Sequence, residues 1–103
     1  MTTTDLLSIW ITETNGYDVD RFRPDGAQLQ AWLDTYGETV AAIGIREGTR
    51  GFMWKMGGVA SPEQAYYMIN YINVTMKNTQ HELALKAKRI ARRKARKAAN
   101  GIS

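Results

Sequence analysis

The sequence predicts a mainly α fold: a small helical domain of three to four helices, with a long basic C-terminal helix. Apolar residues recur at helical spacing in several stretches, and capping residues precede two of these stretches directly. The C-terminal segment consists almost entirely of the helix-favouring residues Ala, Lys and Arg. A chain of 103 residues that is 44% hydrophobic supports one modest core. We therefore expect a compact domain over residues 1–80 and a helical extension over 81–103.

The first helix is predicted over residues 4–15, with Thr3 or Thr4 as its N-cap and an end at Asn15-Gly16. The next segment, residues 16–26, combines turn residues with charges and is predicted to form an ordered loop. Three apolar side chains would hold that loop against the core: Tyr17, Val19 and Phe22.

The second helix has clearer signals. Asp25 is its expected N-cap, with Gln28 three residues later as in a capping box. One apolar stripe follows, made of Leu29, Trp32, Leu33 and Tyr36. Gly37 is predicted either to end this helix or to form a kink before Glu38.

Residues 38–60 are ambiguous, because short apolar runs bounded by glycine fit either a helix or strands. Glycines at positions 44, 48, 51, 57 and 58 each disfavour an interior helical position by roughly 1 kcal/mol. We predict a helix over 38–48 and a loop or short hairpin over 49–60. The alternative is a short β-hairpin within residues 40–57.

The last helix begins at Ser61-Pro62, a serine cap followed by proline at the first helical position. Its predicted buried stripe contains Ala65, Ile69, Ile72 and Met76, widened by Tyr66, Met68 and Tyr71. From 77 to 82 the sequence turns polar, so the domain is expected to end there.

Charge is strongly segregated along this chain. The last acidic residue is Glu82, and the first 85 residues carry a net charge of −4 while the remainder carries +8. Eight bases occupy twelve positions: Lys86, Lys88, Arg89, Arg92, Arg93, Lys94, Arg96 and Lys97. Such density predicts binding to a polyanion or to an acidic surface.

We expect nucleic acid, DNA or RNA, as the partner of this segment, with Arg89, Arg92, Arg93, Arg96 and Lys97 as the main phosphate contacts. The remaining lysines at 86, 88 and 94 would support them. The alternative is an adaptor or inhibitor whose basic tail docks on an acidic protein surface, and a homo-oligomer joining tail to body is a third option. A membrane is not expected, because the apolar side of the tail is mostly alanine.

A second contact is predicted at Trp54, which lies beside Arg50 and Lys55 in a glycine-rich stretch. This mixture of aromatic and basic residues is typical of nucleic-acid contact loops, although core packing of Trp54 is the alternative. Trp10 and Trp32 lie within helical stripes and are predicted to be core residues.

No arrangement for catalysis or for a cofactor is found in the sequence. Asp18, Asp20 and Asp25 lack the glycine and terminal glutamate of a calcium loop, and His81 has no partner motif and is expected at the surface. We therefore expect a non-enzymatic protein with no metal and no cofactor. The absence of cysteine and of a secretory signal favours an intracellular, cytoplasmic location.

Residues 6–48 resemble the C-terminal domain of DnaD-like primosomal and phage replication proteins. The resemblance is carried by Asn15-Gly16, Pro24 and the run from Leu29 to Ile43, in which Trp32, Asp34, Gly37, Glu38, Val40, Ala42 and Ile43 occupy comparable places. The spacing from Val40 to Ile43 is one residue short, the Tyr67–Ile72 segment is an approximate counterpart of the family's next helix, and the stretch between is longer than expected. The resemblance implies a small helical module that binds DNA through its last helix and basic extension.

The tail resembles the arginine-rich helices with which phage antitermination proteins bind RNA hairpins, helices that order on binding. Together the two resemblances favour a phage- or plasmid-type replication or regulatory accessory factor.

Overall fold

A computed structural model describes residues 1–14, 23–57 and 61–102, with side chains described as far as residue 99. Three helices occupy these ranges: α1 (Thr3–Glu13), α2 (Gly26–Met56) and α3 (Pro62–Ile102). The mainly α prediction is confirmed, and the described ranges contain no strand. The fourth helix that the prediction allowed is not found in these ranges, because residues 38–56 belong to α2. Several predictions fall outside them, namely the helix end at Asn15-Gly16, the loop anchors Tyr17, Val19 and Phe22, and the aspartates Asp18 and Asp20.

The first helix starts earlier than predicted, with Thr2 rather than Thr3 or Thr4 as its N-cap. The Asp5 amide donates to Thr2 Oγ1 at 3.3 Å, and the Thr2 amide donates to Asp5 Oδ2 at 2.7 Å. This reciprocal capping box lowers the pKa of the Asp5 carboxyl, mainly through the hydrogen bond from the Thr2 backbone. Asp5 stands at the third helical position only when Thr2 is the N-cap. With Thr3 or Thr4 as the N-cap, that position would hold Leu6 or Leu7, whose side chains cannot accept a hydrogen bond.

The starts of the other two helices are confirmed. Asp25 Oδ1 accepts a hydrogen bond from the Gln28 amide at 2.8 Å, and Ser61 Oγ accepts one from the Gln64 amide at 3.2 Å. Each cap satisfies one of the amides that the first turn of a helix leaves without a backbone partner.

Helix α2 is broken at Gly37, which has φ 80° and ψ 171°. Only glycine adopts this backbone region readily, so the predicted kink is confirmed. Before the kink α2 runs in the same direction as α3, because Gln28 shares a groove with Ala65 and the Trp32 indole donates to Asn73.

After the kink α2 runs antiparallel to α3. Gly44 lies against Met76, and Gly48 lies against Ile72 four residues earlier in α3. The predicted helix over 38–48 is confirmed. The loop or short hairpin predicted for 49–60 is wrong over residues 49–56, as is the hairpin within 40–57, because α2 continues to Met56. Residues 58–60 lie outside the described ranges.

The reason for this error is that the glycines serve the contact between helices. A Cβ at position 48 would lie only 2.9 Å from the Cα of Ile72, and one at position 51 would lie 3.0 Å from the Tyr71 hydroxyl. Glycine permits α2 and α3 to approach closely, and this packing outweighs its poor helix propensity.

The core is formed where α2 packs between α1 and α3. Trp10 and Trp32 are buried, as predicted. The fully buried residues of α3 are Met68, Ile72 and Met76, while Tyr66 is exposed and does not widen the buried stripe as predicted. Tyr66 lies about 120° around α3 from Ile72, which faces α2 after its kink.

Helix α3 determines the elongated shape of the molecule, which measures 63 × 27 × 20 Å. Its 41 residues span about 61 Å at 1.5 Å per residue. Partly buried side chains extend as far as Thr79, and every side chain from 80 to 99 is exposed. We call residues 81–99 the basic rod.

Candidate nucleic-acid interface

All eight basic side chains of the basic rod are exposed to solvent. Over the described residues none of them forms an ion pair, since the two pairs observed there join Met1 to Glu38 and Arg50 to Glu13. Glu82 precedes Lys86 by one helical turn but is not within ion-pair distance of it. The rod therefore presents a high density of uncompensated positive charge.

The charges are distributed unevenly around the rod. At 100° per residue, five of the eight fall within an arc of about 100°. We call this arc the basic flank, and its members are Lys86, Arg89, Arg93, Arg96 and Lys97. Lys88 and Lys94 lie well outside it, and Arg92 lies just beyond its edge.

The flank follows from two properties of the sequence. Bases recur at spacings of three and four, which places them on one side of a helix, and alanines between them maintain helical propensity without adding bulk. Guanidinium groups in such a row are suited to bidentate contacts with phosphate oxygens.

The second predicted group does not join the rod. Arg50 donates to Glu13 through Nε at 3.1 Å and through Nη2 at 2.9 Å, so it links α2 to α1. The hydrogen bond with Glu13 raises the pKa of the Arg50 guanidinium. An arginine engaged in this way contributes to the contact between helices and has little charge to offer a ligand.

Trp54 and Lys55 lie in the helical part of α2, not in a flexible loop. Trp54 is 88% exposed, so the core alternative is wrong. Lys55 Nζ lies 5.8 Å from the centre of the Tyr71 ring, a cation–π contact with α3. Tyr71 precedes Lys86 by 15 residues, so Lys55 and Lys86, the first base of the rod, are separated by about 22 Å along α3.

Two exposed residues of α3, one on either side of Tyr71, were not predicted from the sequence. Tyr67 is 52% exposed and Val74 is 58% exposed. The signal is present in the sequence, because Tyr67, Tyr71 and Val74 recur at helical spacing on the side opposite to Ala65 and Ile69. Without knowing which side α2 covers, that second stripe is indistinguishable from core.

The described residues contain no group of three or more His, Cys, Asp or Glu that is suited to hold a metal ion. Asp25 is occupied as a helix cap, and His81 is exposed on α3 as predicted. Within the same residues, no helix has the length and apolar character needed to cross a membrane.

Comparisons with protein-family models, with curated proteins and with solved structures give no significant match to this chain.

Proposed function

We propose that this protein binds nucleic acid without catalysing a reaction on it, through the basic rod of α3. The observation that carries the proposal is that eight exposed cations, unpaired within the described residues, occupy a helix that extends beyond the packed body. The flank residues Arg89, Arg93, Arg96 and Lys97 contact phosphates, with Lys86 at its near end. Arg92, just beyond the edge of the flank, contacts phosphates as well, and Lys88 and Lys94 add to the field around the rod.

The biological setting belongs to the same proposal. On the resemblance of residues 6–48 to DnaD-like domains, the protein acts as a phage- or plasmid-type replication or regulatory accessory factor.

Two double variants test the role of the flank. Arg89→Gln with Arg96→Gln removes two charges from the flank, and Lys88→Gln with Lys94→Gln removes two from outside it. Glutamine keeps high helix propensity, so both variants retain the rod. Because phosphate contacts are made by the flank, we expect the first variant to bind a labelled oligonucleotide less tightly than the second. Equal affinities would contradict a phosphate-contacting flank, and unchanged affinity of both would exclude the rod.

A specific observation keeps the adaptor alternative open. Leu83 and Ile90 continue the buried stripe of Met76 into the rod, where they are 39% and 43% exposed. A partner with an acidic rim and a narrow apolar groove would cover both. Such a protein partner would compete with nucleic acid, and the absence of any oligonucleotide binding by the full chain would favour it.

A further inference from the structure

One side of the α2–α3 pair faces away from the core and is unusually rich in exposed aromatic residues. Trp54 and Tyr67 are both largely exposed, and Tyr71 is partly exposed. We call this side the outer side. Its Tyr71 also packs against α2, at Gly51, Phe52 and Lys55.

Helical phase shows why these residues share one side. On α3, the residues that face the glycines of α2 are Tyr71, Ile72, Thr75 and Met76, and Tyr67 lies roughly 110° from the middle of that set, opposite to Ile69. On α2, Trp54 lies about 90° from the glycines that face α3, opposite to the buried Phe52. Because α3 and the second half of α2 are antiparallel, rotation in the same sense on both helices places Tyr67 and Trp54 on the same side of the pair, the outer side.

The outer side continues along α3 into the basic rod. Residues recur along it at spacings of three or four: Tyr67, Tyr71, Val74, Asn78, His81, Leu85, Arg89, Arg92 and Arg96. From Tyr67 to Arg96 this row measures about 44 Å at 1.5 Å per residue. Between those two residues α3 carries one acidic residue, Glu82, so the row changes from aromatic to strongly basic.

We propose that the ligand is an extended single strand of nucleic acid lying along the outer side of α3. This inference rests on the proposed function and specifies its ligand. Bases stack on Trp54 and Tyr67 at one end of the row, and phosphates contact Arg89, Arg92 and Arg96 at the other. Lys55, held against Tyr71, supplies a positive charge beside the aromatic end.

A single strand fits this surface better than a duplex because only unpaired bases offer free faces for stacking. Aromatic side chains interspersed with bases form the usual platform of proteins that bind single strands without sequence preference, and their sites cover roughly 4–16 nucleotides. The row of about 44 Å is long enough for a strand within that range of lengths. The buried Trp10 and Trp32 cannot contribute to stacking, so Trp54 is the tryptophan available to a ligand.

The exposure of the three tryptophans provides a direct measurement. Trp10 and Trp32 are 0% and 2% exposed, so quenching of tryptophan emission by an added oligonucleotide reports on Trp54. The full chain would be titrated with single strands of about 4, 8 and 16 nucleotides and with a duplex of about 16 base pairs, each as DNA and as RNA. Fluorescence anisotropy of labelled oligonucleotides, measured in parallel, reports binding at any part of the chain.

Trp54→Ala is the test variant, and Ile11→Ala is its control. Ile11 is an exposed apolar residue of α1 and is not part of the row on α3. Tyr66 packs edge-on against Tyr67, with ring centres 5.9 Å apart, and is therefore not independent of the outer side. Loss of one stacked base should weaken single-strand binding by about five- to a hundredfold for Trp54→Ala. Affinity should be unchanged for Ile11→Ala, and it should rise with strand length between about 4 and 8 nucleotides.

The outcomes separate this inference from the proposal on which it rests. Quenching of tryptophan emission by single-stranded DNA or RNA, with the loss of affinity confined to Trp54→Ala, supports the inference. The nucleic acid that binds more tightly, DNA or RNA, identifies the ligand. Binding by anisotropy without quenching, or a preference for the duplex, overturns it and leaves the role of the basic rod intact. Absence of binding to every oligonucleotide overturns both.

Discussion

Replacing Gly48 by alanine probes the contact on which the fold of the second half of α2 depends. The new Cβ would lie 2.9 Å from the Cα of Ile72, 3.0 Å from its Cγ1 and 3.3 Å from Thr75 Oγ1. Ordinary carbon–carbon contacts are about 3.5–4.0 Å, so α2 and α3 must separate by roughly 0.5–1 Å. The nearest atom belongs to the backbone of α3, so a side-chain rotation cannot relieve the clash.

Two opposing contributions set the size of the effect. Alanine favours the helix over glycine by about 1 kcal/mol. Overpacking a close contact costs about 1–3 kcal/mol, and here the upper part of that range applies because separation also opens the neighbouring contact of Gly44 with Met76. We expect Gly48→Ala to lower the free energy of unfolding by about 2 kcal/mol, or Tm by about 8–16 °C for a domain near 100 residues.

Urea and thermal unfolding, followed by circular dichroism and by tryptophan emission, measure this change. Gly26→Ala is the control, because no atom lies within 4 Å of a Cβ at that position and its backbone is helical. The control should be as stable as the native chain or more stable. If Gly48→Ala is also as stable as the native chain, the close packing of α2 on α3 is refuted.

Three further changes give expected outcomes. Gly37→Ala should destabilise by about 1–3 kcal/mol in urea unfolding, because φ 80° and ψ 171° strain any other residue, whereas Gly26→Ala should not. Asp5→Asn should make the stability of the protein less sensitive to acid. Because the pKa of Asp5 is lowered in the folded protein, the capping box stabilises the protein above about pH 4, and this contribution is lost as pH falls through the folded pKa. Unfolding curves of the variant should therefore differ less between acid and neutral solution than those of the native chain. Thr49→Val should raise the free energy of unfolding by about 1 kcal/mol, because the buried Thr49 hydroxyl has no hydrogen-bond partner among the residues that the structure describes, and a loss of stability would show that it has one.

Local signals in the sequence were sufficient for the helix starts and for most of the core. The caps at Asp25 and Ser61 act within one turn, and Leu29 and Trp32 are buried because their spacing places them on one side of a helix. For α1 the prediction of a threonine N-cap was correct, but the cap is Thr2, at least one residue before the predicted Thr3 or Thr4.

Signals that depend on a partner helix were misleading. Gly44 and Gly48 argue against a helix when they are considered alone, and only the presence of Met76 and Ile72 opposite them explains why they lie inside one. The exposure of Trp54 has the same origin, because its side of α2 is fixed by the positions of α1 and α3 and not by neighbouring residues.

The candidate site was likewise predictable in part. The charge of the basic rod follows from composition and local helix propensity, so its residues were identified from the sequence alone. The engagement of Arg50 by Glu13 was not predictable, because it joins residues 37 positions apart. After its kink α2 runs antiparallel to α3 and so away from the basic rod. Lys55, near the end of α2, therefore lies far from the bases of the rod, although both lie on the same side of α3.

The most direct test of the central claim is the salt dependence of oligonucleotide binding by the full chain, measured by fluorescence anisotropy between about 50 and 300 mM salt. If the five residues of the basic flank neutralise phosphates, the slope of log affinity against log salt should be about −3.5 for a single strand, at about −0.7 per contact. A slope near zero, or no binding at the lowest salt, would contradict a nucleic-acid-binding rod.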